Sequence, residues 1–176
     1  MKVLVYIIPL FFAACQSCSQ GNSANEKVQS VDNESLIQAN RQRMFEEAIR
    51  IEKFIERKGW QMKTSGTGLR YHIYESRSPE NPLAQNKQIA WVNTKVYLLN
   101  GDLVYRTEEG KPQAFRIGRD DVESGLHEGI LLMRVGDKAR FVLPSYLAHG
   151  LVGDDVAIPG GASILYEVEL FDLKEE

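Results

Sequence analysis

The sequence predicts an α+β domain in which a sheet packs on one short helix, with a long amphipathic helix ahead of it. Three observations predict it. Ala139, Phe141 and Leu143 alternate with Lys138 and Arg140 over the strand Lys138–Leu143. Ile164, Tyr166, Val168 and Leu170 alternate with Glu167 and Glu169 over Ser163–Leu173, and a period of two marks a strand with one buried face. Between these strands and a third at Phe115–Ile117, Gly125–Met133 sets Leu126, Ile130 and Met133 at helical spacing, with Gly136 just past the end. A helix of barely two turns is marginal alone, so the sheet must hold it.

Length and charge narrow the partners. A chain of 176 residues predicts one domain plus an accessory segment. Hydrophobic and charged contents of 43% and 26% are those of a globular chain. A net charge of -3 without any basic stripe argues against nucleic acid as a partner.

Met1–Lys2 precede an apolar run, Val3–Ala14, broken only by Pro9. The run is shorter than the roughly 20 residues that span a bilayer, and it reads as an export signal. Phe12–Ala13–Ala14–Cys15 resembles a bacterial lipobox. That resemblance implies a signal peptide of residues 1–14, cut before Cys15, and a lipid on Cys15 that anchors the chain to a membrane. A plain secretory signal cut after Ala13 or Ala14 is the other reading. Cys15 and Cys18 are the only cysteines, and both precede the folded region, so neither a disulfide nor a thiolate metal site is expected in the domain. Residues 15–33 are polar, rich in Ser, Asn and Gln, and read as a tether. No Asp follows Cys15, and by resemblance to lipoprotein sorting patterns this favours the cell envelope, at the outer membrane facing the periplasm.

The helix follows from Glu34 to Lys58, with Asn33 placed as its cap and Gly59 where a left-handed residue ends a helix. Ile37, Met44 and Ile51 form one column, Arg41, Ala48 and Ile55 a second, and Phe45 and Phe54 widen the stripe. The helix either packs on its own domain or pairs two copies as a dimer. A seam of about three heptads that carries Arg41 favours packing in cis.

The domain, residues 60–176, opens with a loop over Trp60–Gly68 and a strand over Leu69–Glu75. Arg77–Lys87 contains Ser78–Pro79 and Asn81–Pro82 and reads as a loop. Gln88–Leu99 is a long strand with Ala90, Val92, Thr94, Val96 and Leu98 on one face. Its other face exposes Trp91, Tyr97 and Leu99, an apolar stripe that asks for a cover. The 34–58 helix is expected to provide it. Asn100–Gly101 then turns the chain into a hairpin strand, Leu103–Thr107.

Gly118, Val122, Gly125, Glu128–Gly129, Met133–Arg134–Val135–Gly136, Arg140, Pro144, Ala148, Gly150, Ile158–Pro159 and Tyr166–Glu167–Val168–Glu169–Leu170 form one ordered series. In that series the chain from about Thr67 to Glu176 resembles the FKBP-type peptidyl-prolyl cis-trans isomerases. With the lipobox and the helix ahead of the domain, it looks like the FKBP-type lipoproteins associated with gliding motility in Bacteroidetes. The resemblance implies an antiparallel half-barrel sheet wrapped around the short helix, and a site that rotates Xaa-Pro bonds. Rotation faces a barrier of about 18–20 kcal/mol set by amide resonance. A dry apolar pocket that favours the twisted amide lowers it without nucleophile, metal or cofactor.

By the same resemblance, Phe115, Val122, Ile158 and Tyr166 keep the family's apolar lining. Leu126 takes the place of a floor tryptophan, and Val104 and Tyr105 that of an aromatic–aspartate pair; these three complete the expected substrate-binding set. Thr94 and Gln113 replace aromatics, and Glu123 stands at the rim where isoleucine is common. His149 falls on a tyrosine whose hydroxyl donates to the bound peptide, so the catalytic roles fall on His149 and Tyr166. A solvated loop histidine is the plain reading of His149. Aromatic side chains bury about 150–250 Å² each, so their loss implies a shallower pocket and weak activity. Asp120–Asp121 and Asp154–Asp155 read as solvated loop acids. His72 and His127 lack ligand spacing with acids, and no metal is expected. Three functions compete. One is a lipid-anchored isomerase that assists folding of exported proteins and takes their proline-containing segments as clients. Another is a weakly active or inactive module that binds such segments or an envelope complex partner. The last is a scaffold with a vestigial pocket.

Overall fold

The computed structural model describes residues 33–175. The expected signal peptide, Cys15 and the tether up to residue 32 lie outside the described residues. In chain order come α1 (Asn33–Lys58), β1 (Lys63–Thr64), β2 (Arg70–Glu75), β3 (Ile89–Leu98), β4 (Leu103–Arg106), β5 (Gln113–Arg116), α2 (Ser124–Ile130), β6 (Lys138–Leu143), a 3-10 turn (Ser145–Leu147) and β7 (Ile164–Lys174). The mixed α+β class, the sheet and the helix ahead of it are as the sequence predicts. Among the described residues no helix is long and apolar enough to cross a membrane.

The seven strands form one antiparallel sheet in the order β1-β2-β6-β7-β3-β4, with β5 also paired to β3. β3 organises it. One edge pairs with β7 from Ile89 to Leu98, while the other is divided between β5, opposite Ile89–Val92, and β4, opposite Lys95–Tyr97. The alternation in β6 and β7 sends Ala139, Phe141, Leu143, Ile164, Tyr166, Val168 and Leu170 into one core with Leu126, Ile130 and Met133. Two glycines let α2 approach that sheet. A Cβ on Gly129 would lie 2.6 Å from Phe141 Cε2, and one on Gly125 2.6 Å from Leu143 Cγ.

The opposite face of the sheet makes a second core. Ile51, Phe54 and Ile55 of α1 pack on Val142 and Leu165, with Trp60, Met62, Tyr97 and Leu99 around them. Burial there stabilises α1 through tertiary packing, as a long surface helix requires. α1 ends as the sequence predicts: Gly59 has φ 65°, Trp60 N donates to Ile55 O at 3.2 Å and Gly59 N to Glu56 O at 3.0 Å, the paired bonds of a left-handed helix stop.

Four expectations need correction. α1 covers Tyr97 and Leu99 but not Trp91, whose ring instead has Lys174 Nζ 5.2 Å from its centroid. The apolar stripe is not buried throughout: Ile37, Met44 and Phe45 are 45%, 51% and 63% exposed, because only the C-terminal half of the 26-residue helix meets the sheet. α2 stops at Ile130 rather than Met133. There Leu132 N bonds Gly129 O and Met133 N bonds Ile130 O, a tighter i to i+3 winding that still delivers Met133 to the core. The strand expected at Phe115–Ile117 runs from Gln113 to Arg116; Ile117 leaves the ladder, donates to Gln88 O at 2.9 Å and stays buried.

Candidate functional site

A cavity of about 890 Å³ opens on the α2 side of the sheet. β3 contributes Val92, Thr94 and Val96 to its wall, and β7 contributes Tyr166. Tyr166 sits opposite Val96 on β3 and Phe141 on β6, so two ladders fix its backbone. Phe115 comes from β5, Val122 and Glu123 from the turn into α2, Leu126 from α2 itself, and Ala148 and His149 from the loop after β6.

The turn that presents Val122 is held by a histidine the sequence left unassigned. His127 Nδ1 accepts the Gly118 N–H at 2.9 Å, and its Nε2 lies 3.1 Å from Asp120 O, which makes Nε2 the donor. The same ring meets Phe115 edge-on at 5.5 Å. Asp120 is not a free loop acid, since it accepts the Arg116 N–H at 2.7 Å.

Polar groups cross the cavity. His149 Nε2 is 2.9 Å from Glu123 Oε1, and the Glu123 side chain is only 13% exposed. The Tyr166 hydroxyl faces the same carboxylate. Burial pushes the Tyr166 phenol far above its ordinary value, and the charge and hydrogen bond of Glu123 push the same way. Glu123 therefore lies within the wall, not at the rim. A His149–Glu123–Tyr166 chain occupies space that an isoleucine would leave apolar.

A second polar link closes the outer side. The Tyr105 hydroxyl donates to Asp154. Asp154 Oδ1 accepts the backbone N–H groups of Val156, Ala157 and Ile158 at 3.0, 2.9 and 2.7 Å. The Tyr105 hydrogen bond, foremost, and those three amides hold the Asp154 carboxyl well below the usual carboxylate range, against the opposing effect of desolvation. Asp154 thus organises the loop that the sequence read as merely solvated.

Of the expected site residues, Phe115, Val122, Leu126, Tyr105, His149 and Tyr166 meet around the cavity. Ile158 and Val104 do not line it. Ile158 is 3% exposed within the core and Val104 packs against that core, Ile158 being turned inward by the amide bonds to Asp154. The wall residues missed were Val92 and Val96, legible as the face of β3 that carries Thr94, and Arg106, Ala114, Asp121 and Ser124, for which no sequence pattern gave a signal.

An open antiparallel sheet packs on a short helix, and the cavity between them is lined by both apolar and polar side chains. Residues 81–171 match the family model for FKBP-type peptidyl-prolyl cis-trans isomerase, and the chain belongs to that family. The FKBP-type peptidyl-prolyl cis-trans isomerase FkpA of Escherichia coli (strain K12) is 36% identical over 124 residues, which is 70% of this chain and 43% of FkpA. FK506-binding protein 2B of Rhizopus delemar is 40% identical over 67 residues, 38% of this chain and 32% of that protein. The chain thus spans less than half the length of these relatives. The crystal structure of FkpA from Escherichia coli superposes with a TM-score of 0.64 at 28% identity, over 80% of this chain and 65% of that one. A peptidyl-prolyl cis-trans isomerase from Pseudomonas syringae pv. tomato shares the fold at a TM-score of 0.61 and 24% identity, over 74% and 96% of the two chains.

Proposed function

We propose that this chain is a peptidyl-prolyl cis-trans isomerase that acts on proline-containing segments of exported proteins while tethered to the envelope through Cys15. The observation that carries the reading is the convergence of Phe115, Val122, Leu126 and Tyr166 on one cavity in a chain of this family. A proline ring seated against these side chains is removed from water. Its preceding amide, once twisted, loses resonance, so the lone pair of the proline nitrogen is localised and the carbonyl becomes more ketone-like, with less charge on its oxygen. A dry wall favours that less polar state over the planar amide. While His149 Nε2 donates to Glu123, a neutral ring presents Nδ1 as an acceptor, so His149 supplies a donor at the mouth when its Nε2 leaves Glu123.

A second reading, a binding module with little turnover, is favoured by the Glu123 carboxylate inside the wall. A carboxylate draws water and raises the polarity that the twisted amide avoids. Under this reading the client is a proline-containing segment or a partner in an envelope complex, as the likeness to gliding-motility lipoproteins suggests. The lipid anchor, the tether and the outer-membrane, periplasm-facing location rest on the lipobox and the residues around it.

Titration of the labelled protein with Xaa-Pro peptides tests the binding half of the proposal. Amide shifts confined to Phe115, Val122, Leu126 and Tyr166 are expected. Shifts elsewhere, or none at millimolar peptide, would remove it. Radiolabelled palmitate on the full chain, lost in Cys15→Ser, is the expected result for the anchor.

A further inference from the structure

The cavity wall residues Ala148 and His149 belong to a loop that leaves β6 at Pro144 and rejoins the sheet at Ile164. The β6–β7 ladder fixes the ends of this loop only as far as Leu143 opposite Ile164. It cannot run further in the usual way, because Pro144 has no N–H to donate. One step beyond, a carboxylate from a distant element takes over. Glu47 of α1 is 5% exposed. Its Oε1 accepts the Ser145 N–H at 2.6 Å and the Ser163 hydroxyl at 2.6 Å, and its Oε2 accepts the Ser145 hydroxyl at 3.0 Å. Ser145 and Ser163 are themselves buried.

We infer that Glu47 is a positioning residue for the cavity: it replaces the missing rung of the ladder and holds both ends of the loop that carries His149. A carboxylate accepts at two oxygens and can join a backbone donor to hydroxyls at the two ends of the loop, which no neutral apolar side chain on α1 could do. Such a group is costly to bury unless it is satisfied, and here its donors come from the loop ends. The inner part of the loop is tied by its own bonds, Gly150 N to Ser145 O and Gly161 N to Gly150 O, both at 2.8 Å. Ser145 O also accepts the Ala148 N–H at 3.0 Å, so a shift of Ser145 passes along to Ala148 and, through Gly150, to both sides of His149. α1 is then more than a cover for the sheet; it sets the position of one wall of the site.

The catalytic consequence rests on the isomerase reading; the structural one does not, and the test separates them. Hydrogen exchange is measured across the full chain for wild type, Glu47→Ala, Glu47→Gln and Ser163→Ala, with exchange of Xaa-Pro peptides followed in parallel. In Glu47→Ala the Leu147, Ala148, Gly150 and Gly161 amides should exchange at least tenfold faster, while those of β3 and β7 hold their protection. The same variant should lose roughly tenfold in kcat/KM, and Glu47→Gln, which keeps one acceptor, should recover most of it. Should Glu47→Ala fail to fold, Ser163→Ala removes a single donor and should still raise loop exchange about threefold. Wild-type protection of the loop amides in the folded variants, with faster exchange confined to α1, would overturn the inference and leave Glu47 as a fastening of the helix alone. If the wild type does not accelerate peptide exchange, the isomerase reading falls and the loop amides still decide the role of Glu47.

Discussion

Replacing Gly129 with alanine sets helix propensity against packing, and the structure says which wins. Alanine is favoured over glycine inside a helix by about 1 kcal/mol, and Gly129 lies within α2 without a positive φ. On propensity alone the substitution stabilises. The added Cβ would lie 2.6 Å from Phe141 Cε2 and 2.8 Å from both Cδ2 and Cζ, whereas carbon atoms in contact sit at about 3.5–4.0 Å. Phe141 is fully buried at the centre of the core, so either its ring or α2 must yield by about 1 Å. Overpacking of this kind costs about 1–3 kcal/mol. The balance is a net loss of about 1 kcal/mol, read as a lower urea midpoint at unchanged slope. In a Phe141→Leu background the clash is relieved, and Gly129→Ala should become neutral or stabilising. A gain of about 1 kcal/mol from Gly129→Ala in the native background would refute the close packing of α2 on β6.

Four other expectations concern α1 and the polar links of the site. Ile51→Ala should cost about 2–5 kcal/mol in chemical denaturation, because Ile51 is fully buried against the sheet. Phe45→Ala, at a residue 63% exposed on the same helix, should stay within about 0.5 kcal/mol. Glu123→Ile strands the buried Tyr166 hydroxyl and should lose about 1–3 kcal/mol, most of it recovered when Tyr166→Phe is added. Equal stability of the single and double variants would contradict the pairing of the Tyr166 hydroxyl with Glu123. For Asp154 the folded value is depressed, so its contribution to the loop is present above the unfolded value of about 3.9 and is lost as pH falls through the lower folded value. Carboxyl shifts of Asp154 should therefore stay ionised through mildly acid pH. They should titrate higher in Tyr105→Phe, which removes the largest cause of the depression.

What could be read from the sequence was whatever repeats along an element. The limits of β6 match the alternation of Lys138–Leu143, and Gly59 ends α1 where a left-handed residue was required. The family likeness also placed six side chains that the structure gathers around one cavity. What could not be read was the partner of a polar side chain across the fold. Glu47 looks like a surface charge beside Glu46, yet it shares a column with Ile51, Phe54 and Ile55 at helical spacing. An acid on the buried stripe was the available signal. The family likeness marked Glu123 as an acid in place of isoleucine, but its partner and that of Asp154 lie across loops whose course no periodicity describes. Trp91 misled for a related reason: it shares a strand face with Tyr97 and Leu99, but a helix covers a patch, not a whole face.

The central claim is that the Phe115–Val122–Leu126–Tyr166 cavity turns over Xaa-Pro bonds. Exchange spectroscopy of short Xaa-Pro peptides with the full chain, varying Xaa, tests it most directly, with Tyr166→Ala as the control and its fold checked by near-ultraviolet circular dichroism. The account predicts acceleration of cis–trans exchange that saturates with peptide and disappears in the control. No acceleration for any Xaa from folded wild-type protein, or equal acceleration by Tyr166→Ala, would contradict it.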